Sequence, residues 1–208
     1  MSTVSTAVIR ADELIASPWK NGGGVTREIA AHIPALRSDR ASLDAFVWRV
    51  SVADVASAGP FSQFDGVDRT LVLLSGAGML LDESTGQGDR THALTQPLDV
   101  ARFRGEAAID ARLVDGATRD FNLMVRRHAA TGTLDVWRGA TRRTLNADVA
   151  LLYCATGVVT VTVGDATPVH LAAGDTLRID RAHDVRCNVE GNEANDASAL
   201  LAVEIRYT

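Results

Sequence analysis

Leu71-Val-Leu-Leu-Ser-Gly76 and Leu152-Tyr-Cys-Ala-Thr-Gly157 are short apolar runs, each closed by a glycine and set 81 residues apart (71 to 152). A second faint match follows: Leu94-Thr-Gln-Pro97 lies 77 residues before Leu171-Ala-Ala-Gly174 (94 to 171). The four-residue difference fits a longer hairpin loop, Asp82–Asp89, in the first half. Each half then reads strand, glycine turn, strand, loop and a turn into a further strand. Gly174-Asp175 is a sound turn pair ahead of Thr176-Leu-Arg-Ile179. Two small jelly-roll barrels suit this pattern. They are expected over residues 1–127 and 128–208, with a seam near Arg127–Trp137.

The rest of the chain agrees. Runs rich in Val, Leu, Ile and Thr recur between Gly, Asp and Pro clusters, which is the signature of an all-β sandwich or barrel. Strands are expected around Trp48–Ala53, Thr70–Leu74, Met79–Leu81, Ile109–Val114, Asp120–Arg126, Ala150–Cys154, Val158–Val163, Asp175–Ile179 and Leu201–Ile205. Only Ala11–Ala16 suggests a helix, with Pro18 just beyond it. No longer helix alternates with the strands, so a parallel α/β fold is disfavoured.

Composition bounds the function. The chain has 208 residues, 46% hydrophobic and 23% charged, with mean hydropathy of +0.04. That is a globular balance and excludes a largely disordered or fibrous chain. No run approaches the roughly 18–20 apolar residues of a spanning helix. The N-terminus has no basic start with an apolar core, so a cytoplasmic location and no membrane partner are expected. A formal net charge of −5 argues against nucleic acid. Arg126-Arg127 and Arg142-Arg143 read as isolated, solvated strand ends rather than a binding stripe. Cys154 and Cys187 read as a reduced pair in apolar strands, since neither lies in a C-x-x-C motif. Lys20 is the one lysine of the chain, and it falls in its densest motif.

The second half looks like a cupin, in which a Gly-Asp turn commonly precedes a strand. Many cupins hold a metal through an H-x-H pair, a carboxylate and a later His. Here His32, His92, His128, His170 and His183 are scattered, with no H-x-H pair. No metal and no cofactor are expected on that ligand logic.

The informative polar residues lie between Ser17 and Asn122. Ser17-Pro-Trp-Lys-Asn-Gly-Gly-Gly-Val-Thr-Arg-Glu28 sets three glycines among Lys20, Asn21, Thr26, Arg27 and Glu28. Such a turn is expected to tolerate positive φ and to offer N–H groups to an anion. It is no Walker loop, because the Lys precedes the glycines. In Trp48-Arg-Val-Ser-Val-Ala53, alternation sets Trp48, Val50 and Val52 against Arg49, Ser51 and Ala53. In Asp120-Phe-Asn-Leu-Met-Val125 it sets Phe121, Leu123 and Val125 against Asp120, Asn122 and Met124. Short polar side chains such as Ser51 and Asn122 suit a confined cavity whose donors and acceptors must be paired. Arg69 enters its strand in phase with Leu71 and Leu73, so it needs Glu28, Asp120 or a ligand carboxylate as partner.

Pro-Trp-Lys-Asn-Gly-Gly-Gly with Thr-Arg-Glu, then Trp-Arg-Val-Ser, Gly-Pro-Phe-Ser-x-Phe-x-Gly-x-x-Arg and Asp-Phe-Asn-Leu-Met closely resembles the HutD/Ves family. These ordered matches cover about the first 125 residues. The resemblance implies a bicupin without the usual metal ligands, encoded in many bacteria with histidine-utilisation genes. It also implies a role in limiting that pathway by binding an intermediate such as an N-formylated glutamate. The matching positions are Lys20, Asn21, Thr26, Arg27, Glu28, Trp48, Arg49, Ser51, Ser62, Arg69, Asp120 and Asn122. The expected function is therefore a regulator of histidine utilisation or related stress metabolism that clamps a small carboxylate with arginines, as a monomer or homodimer. The alternative is a metal-independent isomerase or hydrolase with Lys20 or Glu28 as acid or base. No nucleophile-and-base motif supports it, which makes a non-enzymatic role the leading expectation.

Overall fold

A computed structural model describes residues 3–34, 45–85, 88–191 and 197–208. The opening strands are β1 (Ser5–Ile9), β2 (Ala16–Pro18), β3 (Gly24–His32), β4 (Trp48–Val55) and β5 (Gly59–Pro60). They are followed by β6 (Val67–Ser75), β7 (Met79–Thr85), β8 (Gly88–Leu94), β9 (Val100–Arg104), β10 (Ala108–Leu113) and β11 (Thr118–Arg126). The chain closes with β12 (Ala130–Arg138), β13 (Thr141–Thr156), β14 (Val158–Val163), β15 (Val169–Ala172), β16 (Thr176–Gly191) and β17 (Ala199–Tyr207). Every expected strand is found, because period-two burial sorts their side chains. β14, for example, alternates exposed Val158 with buried Val159, Val161 and Val163.

The strands divide into two compact units. The first unit, Ile15–Ala130, has one sheet ordered β2-β3-β4-β11-β6-β9 and another ordered β5-β10-β7-β8. Its core gathers Leu71, Leu73, Met79, Leu81, Leu94, Phe103 and Ile109. The second unit joins Met1–Leu14 to Thr131–Thr208, with strand order β12-β17-β13-β16-β14-β15 and β1 paired to β16. Its core gathers Leu152, Val161, Leu171, Leu177, Ile179 and Leu200. Both cysteines are free and buried there, and burial pushes the Cys154 thiol up to about 11 and the Cys187 thiol up to about 12.

Two expectations change. The first fourteen residues, expected in the N-terminal barrel, belong to the second unit, because Ser5–Ile9 pairs antiparallel with Thr176–Asp180. Arg10 fixes that attachment through a 2.6 Å ion pair to Asp175, whose Oδ1 also accepts from the Ala11 N–H. The helix expected over 11–16 shrinks to a single 3-10 turn, Ala11–Glu13. Leu14 is already extended, and Ala16–Pro18 pairs with Val25–Arg27. Six residues are too few to offset helix nucleation when a strand partner is available.

The internal repeat has a structural counterpart. Gly76 and Gly157 both hold positive φ, +101° and +76°, between consecutive strands. Further on, the Leu98 N–H donates to Leu73 O at 2.7 Å, and the Gly174 N–H donates to Cys154 O at the same distance. Asp99 and Asp175 follow in turn. Each accepts through its carboxylate from a backbone N–H three residues earlier, Gln96 and Ala172. The turns therefore superpose Leu98 on Gly174, an offset of 76 residues (98 to 174), one less than the sequence match had given.

Candidate functional site

Sheet register decides which polar residues meet. Cross-strand partners share a face, and three rows run across β4, β11 and β6: Arg49–Met124–Arg69, Ser51–Asn122–Leu71 and Ala53–Asp120–Leu73. β3 extends the rows, with Ala31 opposite Arg49, Glu28 opposite Ser51 and Thr26 opposite Ala53. Thr26, Glu28, Arg49, Ser51, Arg69, Asp120 and Asn122 thus stand on one face, which also carries Leu71, Leu73 and Phe103 of the first core.

Arg69 is its most unusual member. It is only 7% exposed and forms no carboxylate ion pair among the described residues. Its guanidinium lies 5.1 Å from the centre of Phe103, 5.2 Å from Phe61 and 5.8 Å from Phe64. Nη1 donates to Ser62 O at 3.3 Å, but the buried Nε has no partner. Burial pulls its pKa down to about 10; the nearby Asp120 charge opposes this and Arg49 adds to it. Asp120 itself is 2% exposed, and burial pushes its carboxyl up to about 7 against the pull of Arg69. Asn122 Oδ1 is a second buried atom without a partner. Arg49 is half-buried and binds Glu28 at 2.8 Å.

The remaining sequence candidates stand elsewhere. Arg27 is on the opposite face, paired at 2.5 Å with Asp54, which also holds Arg119 at 2.6 Å. These hydrogen bonds keep the Asp54 carboxyl below its ordinary range, Arg119 contributing most. Trp48 is fully buried on that same opposite face and stacks on His32. Both follow from alternation, since each is one residue out of phase with the polar row. Lys20 and Asn21 lie exposed in the turn before β3.

That turn is closed on itself rather than open to an anion. The Gly22 N–H donates to Trp19 O, and the Gly23 N–H donates to Asn21 Oδ1. Its glycines answer to sterics instead. Gly22 has φ +72°, and a Cβ on Gly24 would stand 2.5 Å from Asp54 O and 3.1 Å from the Trp19 ring. Trp19 is in turn fixed by its Nε1–H donating to Thr26 Oγ1 at 2.7 Å. Gly24→Ala is expected to lower stability by about 2 kcal/mol in urea melts, because the clash is with backbone and cannot be relieved by a rotamer change.

Several residues of this barrel escaped the sequence reading. Phe61, Phe64 and Phe103 enclose Arg69; the first two lay in the quoted loop, and Phe103 is the direct cross-strand partner of Arg69. On the other sheet, buried His92 pairs with half-buried Glu83 at 2.8 Å, and the His92 ring lies 6.0 Å from Phe103. His92 is two residues from the core Leu94, a phase signal of the kind that marked Arg69. Among the described residues no group of three or more His, Cys, Asp or Glu side chains gathers as a metal site would need, and no helix is long and apolar enough to cross a membrane.

Two antiparallel jelly-roll units of this kind define a bicupin. An oxalate decarboxylase from Lactobacillus farciminis shares the fold at 7% identity, with a TM-score of 0.66 over 100% of this chain and 87% of that one. The HutD family profile matches residues 11–195, and the chain belongs to the HutD family. HutD from Pseudomonas fluorescens SBW25 is 30% identical, with a TM-score of 0.79 over 98% of this chain and all of that one. An uncharacterised 21.2 kDa protein from the hutC 3' region of Pseudomonas putida is 35% identical over 173 residues, which is 83% of this chain and 86% of that protein. The family is associated with the histidine-utilisation locus.

Proposed function

We propose that this protein is a small-molecule-binding regulator of histidine utilisation that takes a carboxylate, of the class of N-formylated glutamate, against Arg69. One observation carries the reading: a buried donor, Arg69 Nε, and a buried acceptor, Asn122 Oδ1, stand on one sheet face, each without a partner. Unmet buried groups cost roughly 1–3 kcal/mol each, so a ligand that supplies both partners recovers that cost. An N-acylated amino acid has the matching pair, a carboxylate oxygen to accept from Arg69 and an amide N–H to donate to Asn122. A charge-assisted bond to a guanidinium is among the stronger ones available. Ser51 lies in the row of Asn122 and Arg49 in the row of Arg69, on the face that would receive a second carboxylate.

Calorimetric titration and thermal-shift assays with formylglutamate, formimidoylglutamate, urocanate and histidine test this. Formylglutamate at 100-fold over its Kd is expected to add about 2.7 kcal/mol of stability. Flat responses to all four at millimolar concentration refute the reading. Turnover during the titration, lost in Lys20→Ala or Glu28→Gln, would instead make this an enzyme.

A further inference from the structure

We propose that the second unit carries a separate site for a phosphate-bearing small molecule, in the groove crossed by the start of β13 and the end of β16. The groove encloses about 500 Å³ and is lined by Arg142, Arg143 and Arg186, together with Thr144, Asp165 and Asn188. That volume lies within the roughly 300–1,000 Å³ of small-molecule sites. Arg142 and Arg143 are neighbours in sequence, whereas Arg186 is brought to them by the antiparallel register that sets Arg142 opposite Asn188 and Thr144 opposite Arg186. Arg142, Thr144, Asn188 and Arg186 therefore share one face.

What marks this groove is the gathering of three arginines along one lining. Nine arginines among the described residues are neutralised by a carboxylate, from Arg10 with Asp175 to Arg206 with Glu204. Arg142, Arg143 and Arg186 form no such pair within the described residues. Arg142 is nevertheless held in place: its Nε donates to Asn188 Oδ1 at 3.1 Å, and the Asn188 amide donates to Glu190 at 2.8 Å. Because Asn188 takes only the Nε, both terminal nitrogens of Arg142 are available to a ligand. The Gly164 N–H donates to Arg186 O at 2.7 Å, which fixes the turn carrying Asp165 against the same strand.

Three like charges around one groove repel, and one lining carboxylate, Asp165, leaves an excess of two positive charges. A dianion matches that excess. Phosphate offers several acceptor oxygens to several guanidinium forks at once, which a single carboxylate does not. The groove is also far larger than inorganic phosphate, so the natural ligand is a phosphate ester whose organic part lies along the strands.

The test uses the full chain and does not depend on the Arg69 site. Inorganic phosphate, phenyl phosphate and sodium chloride at matched ionic strength are titrated by calorimetry and by ³¹P NMR line broadening. Phosphate is expected to bind in the millimolar range, with phenyl phosphate about tenfold tighter. Arg142→Ala/Arg186→Ala is expected to weaken both at least about tenfold, whereas Asp165→Asn tightens them. If the double alanine variant fails to fold, Arg142→Lys/Arg186→Lys keeps the charge and removes the fork, with a smaller loss expected. A response equal to that of chloride, or one undiminished in the folded arginine variants, would overturn the proposal as an electrolyte effect only. Binding of phosphate without any gain from the phenyl ester would overturn the ester assignment.

Discussion

Arg69→Met is expected to weaken carboxylate binding by about 100-fold or more while leaving the protein as stable as the wild type, or more so, near pH 6. The two halves of this result have one cause. Arg69 is nearly inaccessible, and burial already works against its charge, pulling its pKa to about 10. Three aromatic faces at 5.1–5.8 Å and one 3.3 Å hydrogen bond to a carbonyl offset part of that penalty. Each ring contributes roughly 0.5–2 kcal/mol, against an effective desolvation penalty of several kcal/mol for a buried ion. Met has a comparable length, packs well on aromatic rings and carries no charge. Its introduction also strands no opposite charge: without Arg69 the Asp120 carboxyl loses the influence that holds its pKa down, so it stays protonated and neutral. Arg69→Ala lacks this compensation and is expected to lose about 2–4 kcal/mol to the cavity it leaves. Urea melts of both variants, with calorimetry on the Met variant, separate the effects. Undiminished formylglutamate affinity in Arg69→Met would end the assignment of Arg69 to the ligand. A Met variant as unstable as the Ala variant would show that Arg69 is structural.

What sequence could reveal of this site was whatever strand phase carries. Arg69 was legible as a buried cation because it alternates with Leu71 and Leu73, and the register indeed sets it in the row of Arg49. Phase also excludes Arg27 and Trp48 from that row, and motif membership had kept them in. The Gly22–Gly24 run misled for a physical reason. The sequence shows that Cβ atoms are absent, but only the fold shows that Asp54 O and Trp19 fill the space. The repeat was legible in outline and off by one in register. Leu98 occupies, at φ +72°, the position that Gly174 fills at +95°, and a leucine gives no sign of a left-handed turn. The attachment of the first fourteen residues was invisible, since pairing between Ser5 and Asp180 leaves no local pattern. Nor could two separated segments announce that Arg186 joins Arg142 and Arg143.

Asp120 should make the protein lose stability as pH rises from about 4 to about 7, opposite to the usual behaviour of a carboxylate. Folding raises its pKa from 3.8 to about 7, chiefly through burial. Between those values the native state holds a proton that the unfolded chain has released, so stability from this group is greatest below the unfolded pKa, falls through the window and levels off above it. At about 1.4 kcal/mol per unit, the loss is on the order of 4 kcal/mol at most. Asp54 and Asp175, whose pKa values are lowered, behave in the reverse sense: their contribution is present above the unfolded value and fades as pH falls through the folded one. Their effect lies below the Asp120 window and cancels when wild type is compared with Asp120→Asn. That variant stays uncharged, so it should match the wild type near pH 4 and exceed it by up to about 4 kcal/mol at pH 8 in urea melts. Parallel curves from pH 4 to 8 would show that Asp120 ionises normally. The same proton bears on binding, because an ionised Asp120 competes with a ligand carboxylate for the field of Arg69. Formylglutamate affinity should therefore weaken through pH 7 in the wild type and stay level in Asp120→Asn, tying ligand capture to the protonation of one buried acid.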